Sequence, residues 1–216
     1  MRVKVVAISV VITILSISVI YAQNDNYSAV SDINSLKNKL AEHALSTNSI
    51  ESSFTQEKHL WMLDEVLISK GTFLFKKENS VKWQYETPIK YTIIIHDGKF
   101  TIVNNGKVSE FSIDSNPMFH EINNMIVTAI RGDFMDSKDF RAEFFENNSN
   151  YLAKLVPLNK QVSSMLETIE IYFSKQNMQV VEVVFKEPGD DFTLIQFNNK
   201  KINSQIPDER FLLEEK

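Results

Sequence analysis

The side chains best suited to proton transfer or metal binding in this 216-residue chain are four histidines, and their neighbours argue against both roles. His43, His59, His96 and His120 fall on different segments, with no Gly-x-Ser-x-Gly or His-Glu-x-x-His pattern around any of them. They read as solvated or singly hydrogen-bonded residues. The pair His120-Glu121 lacks the spacing that sets zinc ligands on one helical face. Asp190-Asp191 could hold calcium, but it follows Pro188-Gly189, a pair that turns a chain between strands. Asn147-Asn148-Ser149 fits a glycosylation acceptor and reads more simply as a hairpin tip. The chain has no cysteine, hence no disulfide, no thiolate metal site and no site for lipid attachment, and none of its five glycines builds a phosphate loop. No nucleophile is visibly paired with a base, so an enzyme is not expected, and neither is a catalytic residue, a cofactor or a metal.

What the sequence offers instead is apolar surface in an exported chain. Arg2 and Lys4 precede an apolar run from Val5 to Ile20, and Ala22 supplies the small residue of a cleavage site, so residues 1–22 read as a secretory signal peptide. The run is short of the ~20 apolar residues that span a bilayer. Residues 23–216 then form one domain, expected to be soluble in the periplasm and monomeric. Cleavage removes Arg2 and Lys4 and makes the formal charge, −5 for the whole chain, more acidic still; nucleic acid is excluded as a partner on that ground.

The elements follow from periodicity. Ile33, Leu36, Leu40 and Ala44 recur at helical spacing behind Ser31 or Asp32 as a cap. From Ser53 onward the period is two, with strands near Phe54 to Leu60, Val66 to Lys77, Val81 to Glu86, Tyr91 to His96, Phe100 to Val103 and Val108 to Ile113. Asp97-Gly98 and Asn105-Gly106 suit two-residue hairpin loops. Phe73 and Phe75 share one face of their strand, and Val81, Trp83 and Tyr85 share one face of the next; for Tyr91 to Ile95 the inward face stays open. A second helix is expected from Pro117 to Gly132, mostly apolar through Met118, Phe119, Ile122, Met125, Ile126 and Ile130. A second strand block follows over Phe140 to Phe145, Tyr151 to Val156, Thr168 to Phe173, Val180 to Phe185 and Phe192 to Phe197, and the segment after Pro207 reads as loop or short strand.

Four stretches make this order recognisable: Ser53-Phe54-Thr55-Gln56, Gly71 to Lys77, Trp83-Gln84-Tyr85-Glu86-Thr87-Pro88 and Asp97-Gly98-Lys99. Together they resemble the periplasmic outer-membrane lipoprotein carrier family, the LolA type. The resemblance implies a mainly β fold with some α structure: an incomplete, half-open antiparallel barrel covered by amphipathic helices. It also implies a function, in which acyl chains of a lipoprotein or lipid cargo are received from an inner-membrane ATP-driven release complex and passed to an outer-membrane acceptor lipoprotein. The cavity and its lid would draw on Leu40, Phe54, Phe73, Phe75, Val81, Trp83, Tyr85, Met118, Phe119, Ile122, Met125, Ile126 and Ile130. Where the family carries an arginine that latches the covering helices, this chain has Lys77, and the usual following proline is Glu78. A lipid-sensing scaffold that signals to a membrane partner is the alternative for the same half-barrel. The physical need for a carrier is plain: an acyl chain of on the order of sixteen carbons, at ~0.8 kcal/mol per CH2, costs roughly ten kcal/mol to hold in water.

Overall fold

Asp32 opens the first helix as its position predicts: its Oδ1 accepts the Ser35 N–H at 2.9 Å, and α1 runs over Ile33–Ser46 with Leu36 and Leu40 buried. In this computed structural model, residues 26–77, 80–112 and 139–213 are described. The first strand block comprises β2 (Ser49–His59), β3 (Leu67–Lys76), β4 (Ser80–Thr87), β5 (Tyr91–His96), β6 (Lys99–Asn104) and β7 (Lys107–Ser112). The second comprises β8 (Phe140–Glu146), β9 (Asn150–Pro157), β10 (Thr168–Ser174), β11 (Val180–Lys186) and β12 (Phe192–Ile202). A two-residue β1 (Ser28–Ala29) pairs with β8.

All twelve strands form one open antiparallel sheet in the order β1-β8-β9-β10-β11-β12-β2-β3-β4-β5-β6-β7. The two blocks are sewn together where β12 pairs with β2, with Phe197 opposite Phe54. The hairpin loops expected from sequence are present. Asp97, Gly98, Asn105 and Gly106 all take positive φ (47°, 70°, 48° and 76°), the conformation that lets a two-residue turn match the twist of its strands.

Register then fixes the two faces. On the inner face, Ile50, Phe75, Val81, Ile95 and Phe100 lie opposite one another across β2 to β6, and Ser52, Phe73, Trp83, Ile93 and Ile102 form the next row. The open question for β5 is thereby answered: Tyr91, Ile93 and Ile95 face inward and Ile94 outward. Over β8 to β11 the same face carries Phe144, Ala153, Leu155, Ile169, Ile171 and Val183, on which α1 lays Leu36 and Leu40. The outer face is mixed, and Leu74 and Ile94 there meet Ile206 and Phe211.

Three differences from the sequence reading have physical causes. The β1 strand and a one-turn α2 (Lys160–Ser163) are too short to leave a periodic signal. The segment after Pro207 is neither plain loop nor strand but a 3-10 turn over Asp208–Phe211, because that turn drops Phe211 into the outer-face cluster. Two strands are longer than their apolar runs, since the pairing of Ile50 with Ile202 carries the ladder through polar sequence. The expected signal peptide and the expected helix from Pro117 to Gly132 lie outside the described residues. Among the described residues no helix is long and apolar enough to cross a membrane.

Candidate functional site

The aromatic side chains of the first block converge on one cluster, built by the alternation of β2, β3 and β4. Phe54, Phe73, Phe75, Val81, Tyr85, Ile95, Phe100 and Ile195 are buried together, with Trp83 and Phe197 packed against them. Their rings meet edge to face: Phe54 lies 4.9 Å from Tyr85 and 5.5 Å from Trp83, and Phe73 lies 4.9 Å from Trp83 and 5.6 Å from Phe197. This packing needs Gly71. A Cβ there would sit 1.9 Å from the Gln84 carbonyl oxygen and 2.9 Å from the Phe54 ring, so the glycine of the Gly71-Thr72 motif makes room for the phenylalanine of the Ser53-Phe54 motif.

Polar atoms inside this apolar region are few and unequal. The Tyr85 hydroxyl donates to Gln56 Oε1 at 2.8 Å, and burial, reinforced by Tyr91, pushes the phenol well above its ordinary range. By contrast, Trp83 Nε1 and Ser52 Oγ are buried without a hydrogen-bond partner among the described residues. They flank Phe73 in one cross-strand row. An orphaned buried donor costs about 1–3 kcal/mol, which a ligand carbonyl would relieve.

Six of the residues expected at the site, Phe54, Phe73, Phe75, Val81, Trp83 and Tyr85, are thus brought together. Leu40 is not among them; it packs under α1 with Ala153, Leu155 and Ile171 in the other half of the sheet. The two halves are continuous, because Phe185 and Phe197 touch both clusters. Met118, Phe119, Ile122, Met125, Ile126 and Ile130 lie outside the described residues. Lys77 follows β3, and its ammonium donates to the Leu45 carbonyl in the last turn of α1, one of the oxygens a helix end leaves without an internal donor. Asn203 completes that attachment: its Nδ2 donates to Ser46 O at 2.9 Å and its Oδ1 accepts the Asn48 N–H at 2.6 Å. Nothing in the sequence marks Asn203. Ile95, Phe100, Ile195, Phe185 and Phe197 were not expected there; β11 and β12 carry apolar residues on both faces, as in Val183-Val184-Phe185 and Leu194-Ile195, so alternation does not single them out.

One polar pair is closer than the sequence implies. Ser80 Oγ lies 2.8 Å from His96 Nδ1, and His96 Nε2 lies 3.5 Å from Asp97 Oδ2. Ser80 is only 7% exposed and the His96 ring stacks on Phe211 at 5.9 Å; the pair joins the ends of β4 and β5 beneath the C-terminal turn. His59 is likewise engaged: it stacks on Phe192 at 4.1 Å and meets Glu57 at 3.1 Å. Among the described residues no group of three or more metal-binding side chains gathers. A groove of about 700 Å³ near the ends of β4 to β6 has a mixed lining, with Lys82, Gln84, Thr92, Leu212 and Leu213 beside Tyr85 and Tyr91 of the inner face.

The family described as "Outer membrane lipoprotein carrier protein LolA" matches residues 45–214. A search of curated proteins finds no match. Among solved structures, a LolA superfamily protein from Nitrosomonas europaea is 11% identical, with a TM-score of 0.46, 83% of this chain covered and 96% of the other. An uncharacterized conserved protein from Thermus thermophilus is 10% identical at a TM-score of 0.48, with 82% and 91% covered. The Mycobacterium tuberculosis lipoprotein LppX is 7% identical at 0.44, with 80% and 96% covered.

Proposed function

Because the chain belongs to the outer membrane lipoprotein carrier protein LolA family, we propose that it is a periplasmic carrier whose inner face shields the acyl chains of a lipoprotein or lipid between the inner and outer membranes. The observation that carries this reading is the aromatic inner face, with Phe54, Phe73, Phe75, Val81, Trp83 and Tyr85 in one cluster on a sheet that does not close. Those side chains are already packed, so a hydrocarbon tail enters by exchanging one set of apolar contacts for another. Such an exchange has a small net free energy, which suits cargo that must be released again.

In this reading residues 23–216 are one exported domain, and an inner-membrane ATP-driven complex supplies the energy of loading. An acceptor in the outer membrane with higher affinity unloads it. Lys77 and Asn203 hold the end of α1, so Lys77 sets how readily that helix yields. No chemistry on the cargo is required. The test is retention: purified protein is offered an acylated lipoprotein released from membranes, and the cargo should stay soluble with the parent and precipitate with Trp83→Ala. Cargo that precipitates equally with both would refute the carrier. Lys77→Arg, with a planar fork on the same helix end, should slow loading several-fold.

A further inference from the structure

We infer that one end of the sheet docks on the surface of a charge-neutral lipid bilayer, with Trp61, Met62 and Leu63 entering the interface. The antiparallel register places the β2–β3, β4–β5 and β9–β10 connections at the same end. These connections carry exposed Trp61, Met62, Leu63, Ile89, Leu158 and Met165. At the tip of the β2–β3 loop, Trp61 is 73% and Met62 86% exposed, in direct succession with Leu63. Isolated exposed apolar residues need no explanation; a consecutive aromatic, thioether and leucine on one projection do.

The loop is held out rather than left slack. Leu63 N donates to Leu60 O at 2.8 Å, closing the turn, and Trp61 N donates to Asp191 Oδ1 at 2.7 Å. Its base is tied to the β11–β12 turn by the His59–Phe192 stack and the Lys58–Glu187 ion pair. Two backbone N–H groups of the tip are thereby bonded while the apolar side chains stay in water, an arrangement that lowers the ordering cost of insertion. A projection is convex, and further apolar tips sit on two other connections at that end; a fluid interface accommodates this without a matching groove, and tryptophan is at home at the level of lipid headgroups.

Charge selects the kind of surface. Asp64 and Glu65 follow the tip directly, and Glu187, Asp190 and Asp191 lie in the adjoining turn, where Lys58 pairs with Glu187 and Lys186 with Glu170; with Lys90 and Lys160 on the other two connections, carboxylates still outnumber ammonium groups around the tip. An anionic bilayer would repel this end; a zwitterionic one would not. The inference stands apart from the carrier reading, since it needs no cargo on the inner face.

The experiment is co-sedimentation of the purified protein with phosphatidylcholine vesicles, repeated with a third of the lipid replaced by phosphatidylglycerol. The parent should partition onto the neutral vesicles, with Trp61 quenched by brominated acyl chains, and bind less as anionic lipid is added. Met62→Ser with Leu63→Ser, both at exposed positions, should lower partitioning by roughly tenfold or more, on the order of one side chain's transfer free energy. Absence of binding by the parent would overturn the inference. So would equal binding by the double variant, or binding that rises with anionic lipid. Retention of an acylated cargo by a protein that fails to bind vesicles would overturn the docking surface and leave the carrier standing.

Discussion

Trp83 allows the inner face to be tested for the part of a ligand it meets. Its indole N–H is buried without a partner among the described residues, while its ring packs on Phe73 and Phe54 at 4.9 and 5.5 Å. In the empty protein Trp83→Phe has two opposed effects. Removing the orphaned donor gains about 1–3 kcal/mol, and losing part of the ring costs about 1–2 kcal/mol. The variant should therefore melt within a few degrees of the parent, since ~1 kcal/mol moves a domain of this size by about 2–4 °C. Binding separates the effects. If the N–H takes the carbonyl of an acyl ester, the parent recovers that 1–3 kcal/mol on loading and the phenylalanine variant does not, a loss of about five- to 150-fold. A linear alkane of equal length offers no acceptor and should lose only the packing contribution. The assay is displacement of a fluorescent fatty-acid probe by a palmitoyl ester and by the matched alkane, with parent and variant compared as a double-difference cycle. Equal losses for ester and alkane would refute the assignment of the donor to a cargo carbonyl.

Three further outcomes follow from the geometry. Gly71→Ala places a methyl group against the Gln84 carbonyl and the Phe54 ring and should destabilise the fold by about 1–3 kcal/mol in denaturant unfolding. Burial first, then the charge of Lys200, holds the His43 imidazole below its ordinary 6.5, so the folded chain binds that proton less readily than the unfolded one. Stability from this group is accordingly full above pH 6.5 and falls as the pH drops below it, a slope that His43→Gln should remove from melting curves. Phe211→Ala empties the outer-face cluster and should cost about 3–5 kcal/mol by unfolding, while acyl affinity per folded molecule, measured by probe titration, stays within about twofold because the opposite face of the sheet is untouched.

The legible parts of this molecule are those written in periodic or local code. Alternation put Phe73 and Phe75 on one face of β3 and Val81, Trp83 and Tyr85 on one face of β4, Asp32 was one of two caps offered for α1, and two Asx-Gly pairs announced their hairpins. Where alternation was masked, as in Ile93-Ile94-Ile95, the face could not be chosen until the partners of β5 on both sides fixed the register. Contacts between distant segments were illegible for a different reason. Asn203 on the end of α1, Asp191 on the Trp61 backbone and Phe211 beneath Leu74 depend on strands and tails meeting after more than a hundred residues of chain, and no local pattern encodes a meeting. Exposure of the β2–β3 tip was hidden in the same way, since Leu60, Trp61, Met62 and Leu63 in sequence look like core.

In the proposed carrier, these long-range contacts would let an apolar face serve both as core and as ligand surface. One half of the sheet is closed by its own helix, with Leu36 and Leu40 of α1 seated on β9 and β10, and that packing belongs to the chain itself. The other half is braced from behind: Phe211 and Ile206 pack on Leu74 and Ile94, Lys76 reaches Asp208, and Arg210 reaches Glu51. With β2 to β5 held by their ladders and by this outer brace, the proposed exchange would let the inward rings of Phe54, Phe73 and Trp83 change partners while the strands that carry them keep their register. A core that is cohesive without being the sole support of its sheet is the physical requirement for exchanging protein contacts for a hydrocarbon tail.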